Sequence, residues 1–388
     1  MNKQDKTVIR RLEESISALQ NNDFNIFFFV TDCHNVPNGH MQYIYDFAKT
    51  LHDKGRNVKM LYQVENEYTE KEIKRLKRME KPIDYSRVFE GVGEWLGKEY
   101  MEIPHININK NEWTVGPSDF LFIPEAFSSL MKQCYQKKAP CKRIALLHNF
   151  DYVTDFVPYG DEWATYGIID AVVSTKKQDE QIRSVFPYLY TKILNPRVSD
   201  EFRMPIKPKK LIVNIISKRT QDVEKITKIF AWKYPLYNFI SFRDVRGYPK
   251  ELYAEMLRES AITVWIDSET PFGLSALEAM RCGNIVVGKI PETVPEWMGN
   301  STELFNNGLW TFDINQIPDM LVKVIGTWMR DKMPEELLKS MEETNKKYTT
   351  EEWEKNVTEV MDSYINEQIK HFKTIQEEIT KKNTKDNE

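Results

Sequence analysis

The segment from Trp265 to Trp297 constrains the fold of this chain more strongly than the rest of the sequence does. An alternating apolar stretch leads into an acidic loop with a proline, and a helical pattern then leads into the apolar run 285–287. A short apolar run of this kind is typical of a parallel strand that is buried on both faces. The segment therefore predicts strand, loop, helix and strand, the repeating unit of a doubly wound α/β domain.

Two glycines mark the ends of the predicted helix. Gly273 supplies backbone freedom at its start, and Gly283 ends it. Between them Leu274, Leu277 and Met280 share one helical face. A helix that begins at the carboxyl end of a parallel strand points free backbone N–H groups towards that edge of the sheet, and anions bind there.

Glu278 lies about one turn into this helix, where a carboxylate accepts hydrogen bonds from hydroxyl groups. The run FGLSALEAMRCGNIVVG around it resembles the donor-site signature of retaining GT-B glycosyltransferases, glycosyltransferase family 4 in particular. The resemblance implies that Phe272, Gly273 and Leu274 contact a nucleotide-sugar donor and that Glu278 binds its ribose hydroxyls. The alternative is a packing helix in some other doubly wound domain.

The chain departs from the family pattern at the first of two glutamates, which lies eight positions before the second. Thr270 holds that position here, Glu269 precedes it, and Pro271 restricts Thr270 to extended backbone conformations. Either the loop brings Glu269 to the donor sugar, or Thr270 takes that role. We favour Glu269, because a charged acceptor binds a hydroxyl more strongly than a neutral one does.

Gly39 and His148 are the candidate residues of the N-terminal half. The apolar run FNIFFFV, a loop with Gly39 and a helix over 41–53 begin a βαβ unit, and the resemblance places this glycine under the donor. His148 follows the apolar run 143–147, at the edge where open α/β sheets bind ligands. The resemblance implies that His148 lies near the donor sugar. The alternative for Gly39 is a tight turn, and the alternative for His148 is a structural histidine. Residues 83–111 carry no clear pattern.

Basic residues open the C-terminal half. Lys218 and Arg219 directly follow a strand predicted over 211–216, and Lys225 is a further candidate cation in the helix that comes next. Arginine offers a planar fork of donors and lysine a point charge, so these residues suit a diphosphate. The alternative is a solvated basic turn. A further strand is predicted over 237–242.

Composition narrows the class of protein. The chain has 388 residues with 41% apolar and 29% charged residues, enough for two domains, and its net charge of −4 disfavours nucleic acid as a partner. The four cysteines form no C-x-x-C pair, so we expect reduced thiols and no zinc site. No membrane-length apolar run is visible, so we expect a cytoplasmic protein and leave peripheral membrane contact open.

We expect an α/β protein with two Rossmann-like domains facing a cleft, which is the GT-B fold. An acceptor-side domain is predicted over 1–204 and a nucleotide-sugar domain over 205–348. Residues 349–388 begin with a capping-box pattern and are expected to form a helix that crosses back to the first domain, followed by a charged tail.

The resemblance implies transfer of a sugar from a UDP- or GDP-linked donor to an acceptor hydroxyl, with retention of anomeric configuration, in glycan or glycoconjugate synthesis. The acceptor class stays open between a glycan, a lipid-linked molecule and a protein. No Asp-x-Asp motif lies in a suitable loop, so we expect no required metal and no further cofactor. The alternatives are a sugar-nucleotide epimerase or a phosphorylase on the same fold, and a non-catalytic sugar-nucleotide-binding protein.

Overall fold

The computed structural model describes residues 3–110, 113–267, 270, 272–298, 307–330 and 335–385. The chain divides into two compact units. The first unit comprises Met1–Val172, Val185–Lys192 and Lys355–Glu388, and the second comprises Val173–Ser184 and Ile193–Glu354. The chain therefore passes from one unit to the other more than once.

Each unit is built on one sheet. The strands of the first, in the order β3-β2-β1-β4-β5-β6-β7, are β1 Asn25–Phe29, β2 Asn57–Tyr62, β3 His105–Asn107, β4 Phe120–Pro124, β5 Lys142–Leu147, β6 Asp170–Val173 and β7 Tyr190–Ile193. The strands of the second, in the order β12-β11-β10-β8-β9, are β8 Lys210–Ser217, β9 Ser241–Asp244, β10 Ser260–Ile266, β11 Ile285–Lys289 and β12 Leu309–Thr311. The neighbouring strands of the second sheet all pair in parallel, and so do those from β3 to β5 in the first.

The helices alternate with these strands, as the α/β prediction requires. They are α1 Lys3–Gln20, α2 Gly39–Asp53, α3 Glu70–Arg78, α4 Ser128–Gln136, α5 Phe150–Phe156, α6 Lys176–Val185, α7 Thr220–Lys233, α8 Lys250–Glu259, α9 Leu274–Arg281, α10 Ile317–Met329, α11 Glu335–Lys346 and α12 Thr350–Lys385. In the parts of the chain that the structure describes, no helix is both long enough and apolar enough to cross a membrane.

The core of the first unit forms around strand β1, whose continuous apolar run is buried on both faces. The Phe28 ring stacks on Phe122 of β4, with 4.7 Å between centroids, and meets Phe47 of α2 edge-on at 5.1 Å. Helix α12 joins this unit from Lys355 onward, and the buried Tyr364 hydroxyl donates to the Ala171 carbonyl oxygen at 3.2 Å. The terminal segment is therefore a packed part of the first unit.

One sequence prediction is wrong, and one region without a prediction contains a strand. The strand predicted over 237–242 is displaced, because Tyr237 ends a 3₁₀ turn and the observed strand β9 covers Ser241–Asp244. The region 83–111, which has no clear pattern, contains the edge strand β3. This strand has three residues, too few to show the alternation that identifies a strand in a sequence.

A buried polar network ties the second sheet to its helices. The Asn284 side chain, fully buried, accepts from the Ser260 and Thr263 hydroxyls at 2.8 and 3.1 Å. Its amide group donates to the carbonyl oxygens of Leu257 and Ala279 at 2.8 and 3.1 Å. One side chain thus joins the end of α8, helix α9 and strand β10, so it fixes where α9 lies against the sheet.

Replacing Asn284 with alanine should lower the free energy of unfolding of the second unit by about 2–4 kcal/mol, because it removes four hydrogen bonds from a buried site. Denaturant unfolding measures this change. Asn238→Ala is the matched control, because Asn238 is exposed in the same unit and its loss should change stability by less than about 0.5 kcal/mol. Equal small changes in both variants would contradict the role given to this network.

Candidate functional site

The carboxyl edge of the second sheet brings Lys218 and Asp267 together. Ser217 pairs with Ile266 in the parallel register of β8 and β10, so the residues that follow them leave the sheet side by side. The Lys218 ammonium lies 3.3 Å from an Asp267 carboxylate oxygen, yet 60% of the Lys218 side chain stays exposed. Lys218 is therefore held at this edge and open to solvent, as the sequence predicted for a strand-end cation.

Arg219 is the residue that precedes helix α7, and a local turn fixes its backbone. The Arg219 N–H donates to the Ser217 hydroxyl oxygen at 3.1 Å. Its guanidinium is 70% exposed and lies 3.9 Å from Asp222. Lys225 is also exposed, on the first half of α7. Arg219 and Lys225 thus present positive charge in the first half of helix α7 and just before it.

Helix α9 begins at Gly273, which adopts the left-handed backbone conformation with φ 74° and ψ 41°. The Gly273 N–H donates to the Thr270 hydroxyl oxygen at 3.3 Å, so Thr270 shapes this turn. Glu269 and Pro271 lie outside the described residues, and the choice between Glu269 and Thr270 for the sugar stays a prediction.

Tryptophan rings leave no room for a side chain at Gly273. A Cβ atom there would lie 2.9 Å from Trp265 and 3.0 Å from Trp297. The Trp265 indole N–H donates to the Ser275 hydroxyl oxygen at 3.1 Å, and the Trp297 indole N–H donates to the Phe272 carbonyl oxygen. Sequence reasoning missed this packing, although both tryptophans flank the signature segment.

Glu278 lies in the middle of α9 and is 6% exposed. The structure places it close to Tyr253 of helix α8, whose pKa is raised well above its usual value by burial and, second, by the charge of Glu278. Phe272 is buried and Leu274 half-buried at the start of the same helix. The predicted donor residues of this segment therefore cluster on one helix, with the carboxylate one turn from the amino-terminal end.

In the first unit, the predicted glycine loop is the amino-terminal cap of helix α2. The Asn38 side chain accepts from the backbone N–H groups of His40 and Met41 at 3.0 and 3.2 Å. A Cβ atom at Gly39 would meet no atom of the described residues within 4 Å. Packing among these residues therefore does not require glycine at this position, in contrast to Gly273.

His148 directly follows strand β5, as predicted, and belongs to a cluster of rings. Its centroid lies 5.0 Å from that of His40 and 5.5 Å from that of Tyr43, both on α2. Glu125 follows the neighbouring strand β4 and is fully buried. One of its carboxyl oxygens accepts from the backbone N–H groups of His148 and Asn149 at 3.0 and 2.8 Å.

Sequence reasoning assigned no role to His40 or Glu125. A signal was present, since Glu125 ends an apolar run in the same way as His148 does, on the paired strand. Burial raises the pKa of Glu125 to about 8, although hydrogen bonds from three backbone N–H groups lower it. Burial, and second the charge of His148, lower the pKa of His40 well below its usual value. Both groups are therefore mainly uncharged at pH 7.

The described residues contain no group of three or more histidine, cysteine, aspartate or glutamate side chains that could hold a metal ion. The absence of a required metal stays a prediction.

Comparison with known proteins places this geometry in a wider context. No family model matches the chain. An alpha-1,6-glucosyltransferase of Actinobacillus pleuropneumoniae serotype 7 (strain AP76) is 26% identical over 160 residues, a match that covers 34% of this chain and 48% of that protein. The chain thus spans about half the length of this curated relative.

Solved structures match nearly the whole chain. Sucrose-phosphate synthase from Thermosynechococcus elongatus has a TM-score of 0.57 at 13% identity, over 88% of this chain and 98% of that one. The chain has the GT-B fold. The pneumococcal O-GlcNAc transferase GtfA, solved with UDP and GlcNAc, gives 0.57 at 9% identity, over 89% and 99% of the two chains. Anabaena HepE, solved with UDP-glucose, has a TM-score of 0.55 at 12% identity, and the match covers 88% of this chain and 100% of that one.

The fold prediction made from the signature segment is therefore confirmed, and the similar proteins named here include glycosyltransferases. The roles of the candidate site residues stay predictions, because sequence identities this low establish the GT-B fold alone.

Replacing Gly273 with alanine should cost about 2–4 kcal/mol of stability in the second unit, because it adds left-handed strain to a clash with two indole rings. Denaturant unfolding measures the loss. Gly326→Ala is the matched control, since a Cβ there lies in helix α10 with its nearest contact at 3.9 Å and should stabilise by up to about 1 kcal/mol. A stable Gly273→Ala protein would refute the packing argument.

Proposed function

We propose that this chain is a glycosyltransferase that moves a sugar from a UDP- or GDP-linked donor to an acceptor hydroxyl, with retention of anomeric configuration, as its resemblance to glycosyltransferase family 4 implies. The observation that carries the proposal is the start of helix α9. There a left-handed Gly273 opens the helix that follows strand β10, the cation Lys218 ends the neighbouring strand β8, and Glu278 lies one turn into the helix. The GT-B fold and the glycosyltransferases among the solved neighbours support it.

The diphosphate of the donor would bind at the amino-terminal end of α9. Backbone N–H groups at a helix start carry partial positive charge and point at a bound anion. Lys218 and Arg219, both more than half exposed, would add charge from the neighbouring strand end, with Lys225 as a further cation. These groups stabilise negative charge on the departing diphosphate, which is the main catalytic effect we propose.

Glu278 would accept hydrogen bonds from the ribose hydroxyls of the donor. Its burial strengthens this interaction, because a charged acceptor in a low-dielectric site binds a donor more tightly than it would in water. Phe272 and Leu274 would contact the donor beside it. His148 and either Glu269 or Thr270 are proposed to contact the donor sugar. In the reaction, the bond from the anomeric carbon to the diphosphate oxygen breaks and its electron pair stays on the diphosphate. The acceptor oxygen bonds to the anomeric carbon, and its proton passes to the departing diphosphate.

We also propose that residues 1–204 form the domain that binds the acceptor. Residues 205–348 would form the domain that binds the nucleotide-sugar donor. No metal is proposed to take part. The acceptor is a hydroxyl-bearing glycan, lipid-linked molecule or protein.

A donor panel tests the activity. UDP-glucose, UDP-N-acetylglucosamine and GDP-mannose would each be incubated with and without sugar acceptors, in the presence and absence of EDTA. We expect nucleoside diphosphate release that depends on acceptor and survives EDTA. Conversion of the sugar without release would indicate an epimerase, and binding without any turnover would indicate a non-catalytic binding protein.

Glu278→Ala should weaken binding of the donor and of its nucleoside diphosphate by about 1.5–3 kcal/mol, the cost of losing hydrogen bonds to a charged group. The double variant Lys218→Ala/Arg219→Ala should weaken nucleoside diphosphate binding far more than nucleoside binding. Calorimetric titration measures both affinities.

Matched controls are available on the neighbouring helices. Glu255→Ala removes an exposed carboxylate from α8, and Lys228→Ala removes an exposed cation from α7. Both should leave nucleotide affinity unchanged. A folded Glu278→Ala protein with wild-type affinity for nucleoside diphosphate would contradict the ribose assignment, and equal loss of nucleotide and nucleoside binding in the double variant would contradict the diphosphate assignment.

A further inference from the structure

Glu125 is a buried carboxyl group whose two oxygens have different surroundings. Its Oε1 atom accepts from the His148 and Asn149 N–H groups at 3.0 and 2.8 Å. Its Oε2 atom is buried and has no hydrogen-bond partner among the described residues. The Glu125 side chain is 0% exposed. One oxygen therefore holds the turn that carries His148, and the other is buried without a partner among the described residues.

The groups that face Glu125 carry little positive charge. From helix α2, the His40 Nδ1 atom lies 3.9 Å from Oε1 and is itself buried, with no hydrogen-bond partner in the part of the chain that the structure describes. Tyr43 lies on the same helix, and its pKa is raised well above the usual value by burial and then by Glu125. His148 contacts both rings, and Tyr152 of α5 lies 6.0 Å from His40. No lysine or arginine forms an ion pair with Glu125 in the described part of the chain.

An ionised carboxylate in such a place would be costly. Burying a charge without a compensating partner costs several kcal/mol, whereas a neutral carboxylic acid keeps an acceptor oxygen and gains a donor hydroxyl. Two backbone N–H groups satisfy one oxygen, and no lysine or arginine of the described residues forms an ion pair with the carboxyl group. The geometry therefore suits the protonated form.

We propose that Glu125 is a positioning residue that works as an uncharged carboxylic acid, whose Oε1 fixes the turn that presents His148 and whose buried Oε2 carries the proton. This inference rests on the proposed function in so far as it concerns catalysis. It assigns Glu125 a protonation state as well as a positioning role, and the protonation state can be tested without any substrate.

The consequence for pH follows directly. The pKa of Glu125, raised to about 8 by burial, means that the acid form dominates at pH 7 and is lost as the pH rises through about 8. The turn and the ring cluster then surround a buried anion. The rate of transfer should therefore fall above pH 8, by up to tenfold per pH unit.

Glutamine tests this assignment because it copies the neutral acid, with one acceptor oxygen and one donor group. Glu125→Ala should lower kcat by about 10- to 100-fold with little change in the donor KM, because His148 loses its support. Glu125→Gln should recover most of that loss at pH 7, and its rate should not fall as the pH passes 8.

Asp119→Asn is the matched control. Asp119 precedes the same strand β4 at its opposite end, is buried, and accepts from the backbone N–H groups of Asn25 and Gly116, both at 2.7 Å. Asp119→Asn should lower the melting temperature and leave the pH dependence of the rate as it is in the wild type.

Infrared spectroscopy of the full chain gives a readout that needs no activity. The wild-type protein at pH 6 should show the carbonyl band of a buried carboxylic acid, which Glu125→Gln removes and Asp119→Asn retains, and the band should disappear as the pH rises through about 8. If no such band exists, or if Glu125→Gln is as impaired as Glu125→Ala at pH 7, the inference is wrong. If the band behaves as expected but the chain transfers no sugar, the proposed function fails and the protonation state of Glu125 stands.

Discussion

The left-handed backbone of Gly273 is the constraint on which the candidate donor site depends. Two indole rings fill the space that a side chain would need, and their N–H groups hold Ser275 and the Phe272 carbonyl on either side of the turn. Helix α9 can therefore start only where it does. The buried amide of Asn284 then fixes the same helix against the sheet, so the helix start and Glu278 keep their positions relative to Lys218.

The chain uses buried carboxylates in two contrasting ways. Glu278 lies one turn into helix α9, and we propose that it binds hydroxyls. Glu125 lies in a ring cluster without a cationic partner, where burial raises its pKa to about 8 and favours the neutral acid. We thus propose that a glutamate serves ligand recognition in one unit and the support of His148 in the other.

Much of the fold could be predicted because its elements are strongly patterned. Apolar runs such as FNIFFFV identify buried parallel strands. Gly273 and Gly283 mark where helix α9 begins and ends. The three-residue strand β3 could not be predicted, because it is too short to show a period. The ring cluster around Glu125 was missed for another reason, because it brings together residues far apart in the chain. The indoles of Trp265 and Trp297 were missed because the sequence pattern does not show that both rings pack against Gly273. The loop residue Glu269 lies outside the described residues, so its role rests on the sequence alone.

A crystal structure of the chain with bound nucleoside diphosphate would test the central claim most directly. The account predicts the diphosphate at the amino-terminal end of α9, in contact with the backbone at Gly273 and with Lys218 or Arg219, and the ribose hydroxyls hydrogen-bonded to Glu278. A nucleotide bound elsewhere on the second unit, or one that leaves Glu278 without contact, would contradict it.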